Sequence, residues 1–118
     1  MDINQLTLLT DLYELTMMQG YFKSKNDETV IFDVFYRENP SGGGYAITCG
    51  LEQMIDYIKN LSFSYEDIDY LRGLHIFDED FLEYLAGYHF TGDIYAIPEG
   101  TVVFPMEPLV KVCAPMME

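Results

Sequence analysis

The sequence predicts an α+β fold in a single small domain: an N-terminal helix, a short mixed or antiparallel sheet, several short helices and a C-terminal β-meander. Three observations predict it. Residues 8–22 carry apolar side chains at helical spacing. Residues 30–37 are rich in β-branched and aromatic side chains, the composition of a strand. After Gly92 the chain divides into short apolar runs separated by turns that contain Pro and Gly. A length of 118 residues suits one domain. A hydrophobic content of 49%, with ten Tyr and eight Phe, supplies a core and leaves apolar surface for a partner or for further chain.

The first helix is predicted from near Asp11 to Phe22, with Leu8, Leu9, Leu12 and Leu15, then Met18, Tyr21 and Phe22, at its apolar positions. Thr10 or Asp11 is the expected cap, because a short side-chain oxygen there can accept an orphan backbone N–H. Tyr13 falls in the first turn, where a ring can project past the helix end toward a ligand or partner. The alternative is an ordinary half-buried aromatic with its hydroxyl in water. A polar turn at 23–27 leads into the 30–37 strand. Alternation puts Val30, Phe32, Val34 and Tyr36 on one face and Ile31, Asp33, Phe35 and Arg37 on the other. The first face is wholly apolar and the second is mixed, as if it met solvent or a polar cleft.

Residues 39–44, Asn-Pro-Ser-Gly-Gly-Gly, are predicted to be a hairpin connection to a strand at 45–48. Their glycine spacing fits neither the P-loop nor the dinucleotide pattern. A helix follows at 50–61, with Leu51, Met54, Ile55 and Ile58 on one face. Ser64 to Asp67 resembles a capping box that opens a helix ending at Gly73. Asp78 is the expected cap of a short helix at 79–86 that stops at Gly87. The meander strands are predicted at 93–97, 101–104 and 109–113, with turns at 98–100 and 105–108.

The net charge is −14, from 20 acidic and 6 basic residues. The basic residues are scattered, which argues against nucleic acid and against anionic membrane surfaces, both of which need clustered Lys and Arg. No apolar run reaches the length of a membrane span, no secretory signal is evident, and a cytoplasmic location is expected. Cys49 and Cys113 lack paired spacing. Two free thiols in a reducing cytosol is the favoured reading and one bridge the alternative.

The residues alone reveal no catalytic set. The acidic clusters Glu66-Asp67-Asp69 and Asp78-Glu79-Asp80 lie at expected helix starts, where carboxylates favour the dipole, and capping is preferred to acid–base work. His75 and His89 stand in apolar settings without Cys or His at ligand spacing. They are expected to be half-buried and satisfied by backbone carbonyls, with no metal site.

Several blocks, in order, resemble the opening of the nicotinate phosphoribosyltransferases. They are Leu-Leu-Thr-Asp-Leu-Tyr-Glu-Leu-Thr-Met ending at Met17, Phe-Asp-Val-Phe-Tyr-Arg at 32–37 with Asn39-Pro40 and its glycines, and Gly50-Leu51-Glu52. Glu-Asp-Ile-Asp-Tyr-Leu at 66–71 follows, and then Gly-Asp-Ile-Tyr-Ala-Ile-Pro-Glu-Gly-Thr-Val-Val-Phe-Pro at 92–105. The resemblance covers nearly the whole chain, yet family enzymes are several-fold longer. It implies that residues 1–118 are the N-terminal domain of a larger α/β-barrel enzyme, with the catalytic barrel absent.

The resemblance further implies that the parent joins nicotinate to phosphoribosyl pyrophosphate, driven by ATP hydrolysis through a phosphorylated histidine, giving nicotinate mononucleotide for NAD biosynthesis. Neither His75 nor His89 stands in that histidine's motif. ATP and Mg²⁺ are expected for the parent and no cofactor for this chain alone, which is expected to be inactive. Two positions carry over as substrate-binding. The family's tyrosine at Tyr13 stacks on the pyridine ring, donated across a homodimer interface. Arg37 matches an arginine near the phosphates, where a guanidinium suits bidentate contact. The competing reading of Arg37 is a surface ion pair with Glu38 or Asp33. Two other readings stand beside this one: a truncated non-catalytic interaction module, and a relative acting on nicotinamide or another pyridine.

Overall fold

Four helices and two short antiparallel sheets make up the chain, as described for residues 6–118 in a computed structural model. The elements are α1 (Leu12–Ser24), β1 (Thr29–Val34), β2 (Ala46–Ile47), α2 (Leu51–Asn60), α3 (Tyr65–Gly73) and α4 (Glu79–Ala86), then β3 (Asp93–Ala96), β4 (Val102–Val103) and β5 (Val110–Pro115). The predicted α+β class holds, and each predicted helix and strand has a counterpart.

The best-sealed core is helical. Leu15 of α1, Ile68 and Leu71 of α3, Phe77 and the α4 residues Phe81, Leu82 and Leu85 form one buried cluster, with Leu8, Met18, Phe22, Phe63, Leu74 and Tyr84 packed against it. Phe81, Leu82 and Leu85 are fully buried. The rings of Phe22, Phe77 and Tyr84 surround Phe81 at centroid separations of 5.7, 5.8 and 6.3 Å, the range of favourable aromatic pairs.

Two polar ties fasten α1 to this unit. Gln19 accepts from the Asp78 backbone N–H at 2.7 Å and donates to the Ile76 carbonyl at 3.2 Å. Lys23 pairs with the Asp78 carboxylate. Asp78 therefore stands at the cap position of α4, but its carboxylate faces Lys23 and makes no cap bond. At α1, Asp11 likewise occupies the cap position without a side-chain cap bond. The Ser64–Asp67 box forms as predicted, with Ser64 Oγ accepting from Asp67 N at 3.1 Å and Asp67 Oδ2 accepting from Ser64 N at 2.8 Å.

Strand pairing departs from the prediction. Residues 39–44 are not a hairpin turn; they hold a 3₁₀ turn at Pro40–Gly42, and β1 and β2 do not pair. β1 pairs antiparallel with β5, and β3 pairs with the other side of β5, giving the order β1-β5-β3. β2 pairs with β4, so β4 leaves the C-terminal strand series and the chain returns to place β5 directly beside β3. The last strand of the chain is thus the central one. β5 hydrogen-bonds on both of its sides, to β1 and to β3, while β1 and β3 form the edges.

Register aligns Val34, Val110 and Ala96 in one row and Phe32, Val112 and Ile94 in another, an apolar face. α2 turns Leu51, Met54, Ile55 and Ile58 toward this face across cavities of about 210 and 440 Å³. None of its residues is fully buried, so α2 rests on the sheet without sealing it. The opposite face exposes Ile31, Asp33, Tyr95 and Lys111, the mixed surface that alternation predicted.

Candidate functional site

Tyr13 is presented by the first turn of α1. Leu15 buries the opposite side of the helix, which turns Tyr13 and Met17, one turn apart, outward. Tyr13 is 57% exposed and Met17 46%, so the ring has an open face on a rigid element. The Glu14 carboxylate raises the Tyr13 phenol above its ordinary pKa, first by hydrogen bonding and then by charge.

Arg37 lies in the bend just after β1 and is exposed. Among the described residues it forms no ion pair with Glu38 or Asp33; the ion pairs present join Lys23 to Asp78 and Arg72 to Asp69 and Glu79. The bend is held from behind. The Tyr36 carbonyl accepts from Met106 N at 2.8 Å, and the Tyr36 hydroxyl lies 3.0 Å from the Val103 carbonyl and 2.9 Å from Asn39 Oδ1.

A third constellation joins two separated sequence blocks. Glu99 Oε1 accepts from Gly50 N at 2.6 Å and from Leu51 N at 2.7 Å, capping α2 with a carboxylate from the β3–β4 turn. Gly50 takes φ of +100° there, which its lack of a Cβ permits. Thr48 Oγ1 donates to the Pro98 carbonyl at 2.8 Å and accepts from Thr101 N at 3.1 Å. The Gly-Leu-Glu block and the Ile-Pro-Glu-Gly-Thr block thus form one junction.

Among the described residues, no cavity of the domain joins the two candidate residues. The cavity beside α1 is bordered by Thr10, Glu14, Leu15, Tyr21, Tyr57 and Tyr88 among others, and by neither Tyr13 nor Arg37. The cavity beside β1 is bordered by Val34, Thr48, Cys49, Leu51 and Val110 among others, and likewise by neither of them. His75, in the turn after α3, and His89, in the irregular segment after α4, are exposed rather than half-buried. His89 does find a carbonyl, with Nδ1 3.2 Å from Gly87 O. Cys49 and Cys113 are free thiols. Among the described residues no group of three or more His, Cys, Asp or Glu side chains converges to hold a metal ion, and no helix is long and apolar enough to cross a membrane.

Sequence reasoning missed the Glu99 cap, the Gln19 tie and the Tyr36 hydroxyl. It also missed Arg72, which meets Glu79 through Nε at 2.8 Å and through its second terminal nitrogen at 3.2 Å. Each depends on residues distant in sequence or on a helix pair whose angle is not written in the local pattern.

An exposed aromatic at a helix start, an arginine bend tied to a neighbouring strand and an open sheet under a capped helix make this an α+β domain without a closed barrel. Residues 8–118 match the family described as the nicotinate phosphoribosyltransferase (NAPRTase) N-terminal domain, and the chain belongs to that family. It is 45% identical over 111 residues to a nicotinate phosphoribosyltransferase of Mycobacterium tuberculosis, covering 94% of this chain and 24% of the relative. It is 40% identical over 116 residues to that of Bacillus subtilis, covering 98% of this chain and 24% of the relative. The crystal structure of human nicotinic acid phosphoribosyltransferase superposes with a TM-score of 0.81 at 29% identity, covering 92% of this chain and 22% of that one. A nicotinate-nucleotide pyrophosphorylase from Pyrococcus furiosus shares the fold, with a TM-score of 0.67 at 17% identity. The chain spans about a quarter of the length of the curated relatives it matches.

Proposed function

We propose that this chain serves as the N-terminal domain of a nicotinate phosphoribosyltransferase that joins nicotinate to phosphoribosyl pyrophosphate, with ATP hydrolysis, to give nicotinate mononucleotide for NAD biosynthesis. In this reading Tyr13 stacks on the pyridine ring within a neighbouring subunit's site, and Arg37 contacts phosphate. The observation that carries it is the open face of Tyr13 on the first turn of α1. A flat electron-poor ring suits such a face. Neither Tyr13 nor Arg37 borders the cavity beside α1 or the one beside β1, which supports a site completed by further chain or another domain. The six basic residues of an acidic domain are too few for a pyrophosphate-bearing transition state, so Mg²⁺, ATP and most phosphate contacts belong to other parts of the enzyme.

The test uses the full-length enzyme. Tyr13→Ala is expected to raise the KM for nicotinate about two- to tenfold, on the scale of aromatic pairing. Tyr13→Phe keeps the face and is expected to be much milder. Mixing Tyr13→Ala subunits with subunits lacking the phosphorylated histidine is expected to restore some activity, because one of the two hybrid sites then has both intact parts. Equal effects of Ala and Phe on nicotinate KM would defeat the stacking role. No recovery in dimers shown to have exchanged subunits would defeat the cross-subunit role.

A further inference from the structure

Arg37 and Glu38 form a short bend whose flanking residues, Tyr36 and Asn39, are held by hydrogen bonds. The Tyr36 oxygen has one proton to donate, yet two acceptors lie within reach, Val103 O at 3.0 Å and Asn39 Oδ1 at 2.9 Å. Turning the Asn39 amide over resolves the competition: Asn39 Nδ2 then donates to the Tyr36 oxygen, which donates in turn to Val103 O. Val103 is 2% exposed and paired with β2, so this relay ends on a fixed point. The Tyr36 carbonyl is fastened separately by Met106 N. The bend is thus tied to β4 and to the loop beyond it, while the Arg37 side chain is exposed and unpaired with its acidic neighbours.

We propose that Tyr36 is a positioning residue that acts through its hydroxyl relay, Asn39 to Tyr36 to Val103, to hold Arg37 ready for a phosphate-bearing substrate. The proposal rests on the phosphate-binding reading of Arg37 given above. A guanidinium that must meet two oxygens at once gains from a backbone that is already placed, because less freedom is lost on binding. Removing the hydroxyl leaves the ring packed and the Met106 tie intact, but frees the bend to sample other orientations.

The full-length enzyme tests this through a double-mutant cycle. Tyr36→Phe is expected to raise the KM for phosphoribosyl pyrophosphate about two- to tenfold, the span of one lost hydrogen bond, and to leave the nicotinate KM unchanged. In an Arg37→Ala background, which itself raises that KM, Tyr36→Phe is expected to add nothing. A merely structural tyrosine would, whatever the change in thermal stability, leave both KM values of the folded enzyme alone or act equally in both backgrounds. Either of these two results overturns the proposal while the Arg37 reading stands. An unchanged phosphoribosyl pyrophosphate KM in Arg37→Ala alone overturns the Arg37 reading and, with it, the role of Tyr36.

Discussion

Gly92 is the position where one added carbon would matter most. A Cβ there would stand 2.5 Å from Ala114 Cβ, 2.6 Å from the Cys113 carbonyl and 2.8 Å from the Phe90 ring. Two of those neighbours belong to the central strand β5, so the obstruction cannot be relieved by swinging one flexible side chain. The same spot is pinned by Glu118, whose carboxylate accepts from Thr91 N at 2.6 Å, from Thr91 Oγ1 at 2.8 Å and from Gly92 N at 3.2 Å. Gly92→Ala is expected to destabilise the fold by about 1–3 kcal/mol, the cost of overpacking, read as a lower urea midpoint. An unchanged midpoint would mean that β3 and β5 separate there without loss. The sequence marks Gly92 only as the start of a strand block; the reason for the glycine is the backbone of β5 passing against it.

Among the elements, α2 differs most from what its pattern suggests. Its stripe of Leu51, Met54, Ile55 and Ile58 was legible at once, since periodicity is a local property. What fastens it was not legible, because Glu99 lies in another block and reaches both Gly50 N and Leu51 N. Glu99→Ala is expected to cost about 0.5–2 kcal/mol, as for loss of a helix cap, and to speed amide exchange in α2 while α3, capped by its own Ser64 and Asp67, is unaffected. Equal exchange in both helices would remove the cap from the account. The same division between local and distant explains the strands. The runs at 30–37 and after Gly92 announce themselves by composition, but pairing depends on partners far away. Local pattern therefore joins the neighbouring segments β1 and β2, where the chain joins β1 to β5. The resembling block points to Tyr13 as a candidate, whereas the relay behind Arg37 needs Val103, which no local pattern connects to Tyr36.

Seen as a whole molecule, the chain is sealed at its helical end and open at its sheet. It exposes 8170 Å², where a compact monomer of this size exposes about 6,600 Å². Its radius of gyration is 16.6 Å, against about 13.5 Å for a compact domain of equal length. Ile31 and Phe32 are each 62% exposed, and Val34, Phe35, Ile47, Val102 and Phe104 lie open as well. Apolar surface on that scale favours association. The isolated 118-residue chain is expected to sediment as a dimer or larger species and to bind a dye for exposed apolar surface. A monomer at high concentration that binds no dye would count against this.

The central position of β5 also sets an order of events on the ribosome. Each edge strand of the larger sheet completes its ladder only on β5, the last of the strands to be synthesised. The buried cluster of α1, α3 and α4 has all its parts available before β3 is made. β1, by contrast, emerges with Ile31 and Phe32 unpartnered and waits for roughly eighty further residues, some 4–16 s at ordinary translation speed. During that interval it is an unpaired apolar strand, the kind of segment that chaperones hold and that neighbouring nascent chains capture.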